Sequence, residues 1–132
     1  MVLGLGTDIV EIGRVKKAIG REAFLARVFT CRERAYCDVR GTGRAASYAA
    51  RWAGKEAVLK AFGMGLRHGA LLDVEIVPDA LGAPEVHLFG FFAALAKERG
   101  VRRIHLSLSH AKEYAVAQCV LEGEQHEDRF GG

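Results

Sequence analysis

ARWAGKEAVLKAFGMG, residues 50–65, is the stretch on which the reading of this chain turns. It has the pattern of the second half of a helix that stops at Gly63-Met64-Gly65. At about 100° per residue, Tyr48, Trp52, Leu59 and Phe62 fall on one apolar stripe. Gly63 suits a left-handed cap, so the spacing predicts a long helix over 45–62. Glu56 lies at the edge of the stripe and Lys60 just beyond it. As an i,i+4 pair they are an ordinary surface feature, worth a few tenths of a kcal/mol. Lys55 points at the middle of the stripe, where an unpaired ammonium is costly. Either it snorkels, or that face meets something acidic.

A second charge raises the same question. The run VLGLGTDIV, 2–10, reads as a strand apolar on both faces. Alternation puts Asp8 with Val2, Val10 and Ile12, and Leu3, Leu5 and Ile9 on the other face. A carboxylate there needs a partner: a lysine, an arginine, a backbone N–H or a metal ion. Mg²⁺ takes one or two protein carboxylates and accepts phosphate oxygens of a substrate. Asp8 and Glu56, if the fold joins them, would make such a site, with Lys60 facing the same phosphates.

Working outward, residues 12–40 carry helical spacing in short pieces broken near Gly20 and Thr30. Thr30 with Glu33 predicts a capping box. RGTGR, 40–44, reads as a flexible basic loop. LDVEIV (72–77) and EVHLF (85–89) predict a hairpin around PDALGAP. A helix over 89–99 ends at Gly100. IHLSLSH (104–110) alternates strictly, and YAVAQCVLE (114–122) is the last strand. This order predicts an α+β fold, an antiparallel sheet packed on a long central helix. One domain spans 1–122, and 123–132 is a polar, flexible tail.

Composition narrows the function. The 132 residues suit one domain, and half of them are hydrophobic. No run approaches the roughly 18 apolar residues of a membrane span. The N-terminus meets a charge too early for a signal peptide, so a cytoplasmic protein is expected. Cys31, Cys37 and Cys119 form no CxxC pair, which argues against a disulfide scaffold or structural zinc. His68, His87 and His126 follow no zinc pattern, and His105 and His110 flank a strand, where satisfied structural histidines are common. Ser107 and Ser109 lack a nucleophile elbow, and no Walker A or GxGxxG motif occurs.

The net charge of +3 is unevenly placed, with Arg14, Lys16, Lys17, Arg21, Arg27, Arg32, Arg34, Arg40, Arg44 and Arg51 within one third of the chain. That suggests a partner bearing phosphates or carboxylates. Nucleic acid is disfavoured, because the strands lack the interleaved aromatics on which bases stack. A non-catalytic module docking acidic helical proteins is the alternative to an enzyme, but it makes no use of Asp8, Glu56 and Lys60 as a set.

Three segments in order resemble one family. GLGTDIVEIGRV resembles its G-x-D-I-x-E-I-x-R-[IV] signature. ARWAGKEAVLKAFGMG resembles R-[FW]-A-A-K-E-A-x-x-K-A-[FL]-G-x-G, and IHLSLSHAKEYAVAQ its closing strand pair. The family is the holo-acyl-carrier-protein synthases, the small class of 4′-phosphopantetheinyl transferases. The resemblance, over about residues 2–121, implies transfer of the phosphopantetheine arm of coenzyme A to a serine of apo acyl carrier protein, releasing adenosine 3′,5′-bisphosphate.

It implies that Asp8 and Glu56 hold Mg²⁺ and that Lys60 contacts the phosphates. Arg51, Ser109 and His110 would line the coenzyme A site, with Pro84 near the adenine, Gly65 at the helix cap and Arg44 at the 3′-phosphate. Glu56, acting through a water held by the metal, is the first candidate base, and His110 the second. Arg14, Arg21 and Arg27, with Phe24 as apolar anchor, match a basic surface that receives the acidic carrier protein. The family is typically a homotrimer with shared sites, which would also account for Lys55 and for the apolar first strand. Two departures stand out. Gly54 replaces the usual alanine, costing about 1 kcal/mol of helix propensity, and Met64 replaces a threonine.

Overall fold

A computed structural model describes residues 1–65 and 71–124. The first strand, β1 (Val2–Glu11), leads into three short helices, α1 (Ile12–Ala18), α2 (Glu22–Val28) and α3 (Cys31–Asp38). The central helix α4 (Arg44–Ala61) follows. Then come β2 (Val74–Pro78), β3 (Pro84–Leu88), α5 (Gly90–Arg99), β4 (Val101–His110) and β5 (Tyr114–Gly123). Thr30 caps α3 in the expected capping box, its hydroxyl accepting from Glu33 N while the Glu33 carboxylate accepts from Thr30 N.

The basic segment 40–44 is a 3₁₀ turn, Gly41–Gly43, running directly into α4, rather than a loop. At the other end α4 closes in a Schellman motif. Gly63 takes φ +73°, its N–H bonds to Lys60 O, and Met64 N bonds to Leu59 O. Met64 packs its side chain on the core, which explains an apolar residue there. The predicted tail begins inside β5, and residues 125–132, with His126, lie outside the described residues, as does His68.

The strands form two antiparallel sheets where one was expected. One has the order β1-β5-β4; the other is the β2–β3 hairpin. Pro78 faces Pro84 at the hairpin's end, and neither has the N–H that a longer ladder requires.

The predicted stripe on α4 is also too narrow. Tyr48, Ala49, Ala53, Lys55, Ala57, Val58 and Leu59 are all buried, so the helix is enclosed on nearly every side. Its small residues make this possible. A Cβ at Gly6 would overlap Ala57 O, and one at Gly4 would overlap Ala61 O, so β1 lies directly on the α4 backbone. Gly54 has a similar cause: its missing Cβ leaves room for Ile76 and Leu108.

Lys55 needs no neighbouring subunit. It is fully buried, with Nζ 2.8 Å from Glu33 Oε1 and hydrogen bonds to the carbonyls of Leu71 and Val74. The acidic group it meets comes from its own chain. The other face of β1 does lie open: Leu5 is 59% exposed and Ile9 63%.

Candidate active site

β1 and α4 bring Asp8, Glu56 and Lys60 into one cleft of about 810 Å³. Alternation along β1 turns Asp8 toward the helix, with Gly4, Gly6 and Val10. Val2 drops out of this face because the β1–β5 register shifts between Val2 and Gly4. Glu56 and Lys60, one turn apart, leave α4 on the side that β1 only partly covers. Lys60 Nζ donates to Asp8 Oδ1 at 2.9 Å and to Thr7 O at 3.1 Å. Thus Asp8 has found the lysine partner among those considered.

The Glu56 carboxyl titrates above its ordinary range. Burial is the main cause, repulsion from Asp8 adds to it, and Lys60 partly opposes both. Two carboxylates therefore share a partly desolvated cleft with one half-exposed ammonium, which is paired to Asp8. This donor set is oxygen-only and fits a hard cation such as Mg²⁺. No group of three or more His, Cys, Asp or Glu side chains suited to a metal occurs among the described residues.

The same cleft is walled by α1 and α2. Arg14, Lys17 and Arg21 rim it, and Phe24 and Trp52 line it with their rings 5.5 Å apart. Trp52, read from the sequence as core, is half-buried wall instead. Arg27, on α2, does not line this cleft.

A second cleft, of about 330 Å³, collects Arg51, Pro84, Ser109 and His110, with Tyr36 and Arg40. Arg51 is only 7% exposed, and its Nε has no hydrogen-bond partner among the described residues. Its guanidinium lies 4.3 Å from the Tyr36 ring centroid, and that of Arg40 4.8 Å from the same ring. A buried guanidinium with an unused donor beside two serines, Ser47 and Ser109, is suited to an anion such as a phosphate. Tyr36 and Ser47 escaped the sequence reading, which counts Arg40 among the clustered basic residues. Only the basic charge of Arg40 hinted at them.

Two further residues stand apart. Arg44 pairs with Asp38 at 3.0 Å and lies over Tyr48, outside the lining of either cleft. Gly65 is exposed, two residues past the cap. His105 Nε2 donates to the Glu122 carboxylate at 2.8 Å, a satisfied cross-strand pair.

The fold and both clefts define a class. The 4′-phosphopantetheinyl transferase superfamily matches residues 4–119, and the chain belongs to it. Among its relatives, the holo-[acyl-carrier-protein] synthase of Ruminiclostridium cellulolyticum is 46% identical over 124 residues, 92% of each chain. That of Anaeromyxobacter sp. (strain K) is 47% identical over 130 residues, 93% of this chain and 98% of the other. The Bacillus anthracis synthase, solved in complex with CoA (3′,5′-ADP), superposes with a TM-score of 0.78 at 35% identity, covering 94% of this chain and 99% of that one. The Helicobacter pylori synthase, solved with coenzyme A, gives 0.78 at 27% identity over 89% and 99%.

Proposed function

We propose that this chain transfers the 4′-phosphopantetheine group of coenzyme A to a serine of apo acyl carrier protein, releasing adenosine 3′,5′-bisphosphate, with Mg²⁺ held by Asp8 and Glu56. The observation that carries it is the convergence of Asp8, Glu56 and Lys60 in one cleft under an arginine-rimmed apolar mouth. Bound Mg²⁺ would supply positive charge against the pyrophosphate of coenzyme A.

The chain's own groups account for the rest. The serine oxygen attacks the β-phosphorus, and the bond from that phosphorus to the bridging oxygen breaks. Phosphoryl transfer asks for positioning and charge neutralisation above all. Lys60, exchanging Asp8 for phosphate, neutralises the departing group. Glu56, acting through a water held by the metal, would be the base for the serine proton. His110, in the smaller cleft, is the alternative base. Arg51 and Ser109 hold the nucleotide, with Pro84 against the adenine, and Arg44 and Gly65 at its margins. Arg14, Arg21 and Phe24 receive the acidic carrier protein, with Arg27 extending that surface.

The two clefts in one chain are separate halves. A homotrimer would join the first cleft of one subunit to the second of its neighbour. The open apolar face of β1, with Leu5 and Ile9, supports burial against another copy. Three free cysteines suit the reducing cytoplasm, and no described helix is long and apolar enough to cross a membrane.

The test is intact mass of apo acyl carrier protein after incubation with this protein, coenzyme A and Mg²⁺, with and without EDTA. A gain of one phosphopantetheine that disappears with EDTA is expected. Failure to bind coenzyme A would return the arginines to a docking role.

A further inference from the structure

We infer that Lys55 and Glu33 are positioning residues for this transfer, their buried pair fixing the rotation of α4 so that Glu56 and Lys60 face Asp8. The inference rests on the transferase reading above and concerns groups that touch neither substrate nor metal in it.

Lys55 is 0% exposed and so is Glu33. The three donors of the ammonium are all engaged: Glu33 Oε1 at 2.8 Å, Leu71 O at 2.9 Å, and Val74 O. Glu33 is tied as tightly. It accepts from Thr30 N at 2.9 Å and from Ile76 N at 2.7 Å. Thus one point contact gathers the start of α3, the 3₁₀ turn at Leu71–Asp73, β2 and α4. The adjacent Glu75 carboxylate extends it, accepting from the Thr30 hydroxyl at 2.7 Å and from Arg32 at 3.1 Å.

Elsewhere α4 is held by the apolar packing of Tyr48, Val58 and Leu59 and, near its start, by the hydrogen bond that Tyr48 donates to Asp38. Toward the sheet the helix presents Ala53, Ala57 and Ala61, against Gly4 and Gly6 of β1. Small apolar surfaces set a close approach but are smooth to a slide or a twist. The Asp8–Lys60 pair is half-open to solvent, with Lys60 52% exposed, and exposed pairs hold little. A buried pair is a poor source of net stability, and its best-attested use is registry. Lys55 and Glu56 are consecutive on a rigid helix, so any rotation that moves one moves the other. Displacing Nζ breaks its three contacts at once.

The experiment compares wild type with Glu33→Gln/Lys55→Met, which removes both charges and leaves neither orphaned. Trp52 is the only tryptophan in the chain and lines the cleft that holds Asp8 and Glu56. Tryptophan-sensitised Tb³⁺ luminescence therefore reports a hard cation there without turnover. Wild type must show Tb³⁺ binding that Asp8→Asn abolishes, together with transfer; failure at that stage overturns the transferase reading itself, and the inference with it.

Below its melting temperature, the folded double variant is expected to raise the Tb³⁺ midpoint and lower kcat by about tenfold or more each. Coenzyme A affinity should fall as well, since Arg51 leaves the same helix α4. A folded double variant with Tb³⁺ midpoint and kcat both near wild type overturns the inference and leaves the pair structural. Should the double variant not fold, Glu33→Gln alone keeps the two carbonyl partners of Lys55. It is then expected to shift both readouts in the same direction, and unchanged values overturn the inference equally.

Discussion

Lys60 Nζ sits 2.9 Å from Asp8 Oδ1, across 52 residues of sequence, and this contact defines the resting state of the larger cleft. The ammonium occupies one of two carboxylates that would share a metal. In the proposed reaction it would therefore compete with the metal for Asp8 and would be free to turn toward phosphate once a metal is held there.

Lys60→Met separates these two roles. Removing the competing cation is expected to tighten hard-cation binding in the absence of coenzyme A, read by Tb³⁺ titration. The same change should lower kcat by about 10²-fold, because the departing phosphate loses its counter-charge. Weaker cation binding in the variant would contradict the competition.

Glu56 gives a pH-dependent prediction. Its pKa is raised in the folded, metal-free protein by burial and by Asp8. A raised carboxyl pKa means that its favourable contribution to stability is full below the ordinary glutamate range and is lost as pH rises through the folded value. At neutral pH the ionised, partly buried group is thus destabilising. Glu56→Gln should raise the melting temperature of the metal-free protein at pH 7–8 and leave it little changed at pH 4. It should also remove the stabilisation that wild type gains from added Mg²⁺, and abolish transfer. Thermal melts with and without EDTA across that pH range check the sign.

Gly6→Ala tests how β1 is seated. The added Cβ would overlap the Ala57 carbonyl oxygen, which is helix backbone and cannot rotate away. A loss of about 3 kcal/mol is expected, at the upper end for overpacking, because strand and helix must separate. Gly13→Ala is a useful control, since nothing lies within 4 Å of a Cβ there. Denaturant midpoints of the two variants should differ sharply.

Joined half-sites lead to complementation. Glu56→Gln disables the larger cleft and Arg51→Ala the smaller one. Each variant alone should be inactive. If neighbouring subunits of a trimer share a site, random mixing by co-expression restores about a quarter of the sites, because each needs one intact half from each side. No recovery in mixed oligomers would mean that each chain completes its own site. If copies of the chain meet through the open face of β1, Leu5→Asp should give monomers in native mass spectrometry and abolish transfer.

Much of this molecule was legible in its sequence where local rules act alone. The Thr30–Glu33 capping box, the cap at Gly63, the strict alternation of 104–110 and the turn-bounded strands need only nearest neighbours along the chain. The motif residues Asp8, Glu56 and Lys60 could be singled out because charge beside apolar periodicity is anomalous wherever it occurs. Their meeting could not be deduced, since strand alternation gives the face of Asp8 but not what that face packs against. Only the tertiary structure decided that the partner of Asp8 is Lys60, that Lys55 belongs to Glu33, and that Trp52 walls a cleft instead of filling the core. The enclosure of α4 on nearly all sides hid itself for the same reason: alanine and glycine carry little periodic signal, yet they are what lets strands of both sheets and the short helices crowd one backbone. Periodicity encodes which way a side chain points; what it touches depends on packing between segments far apart in the chain.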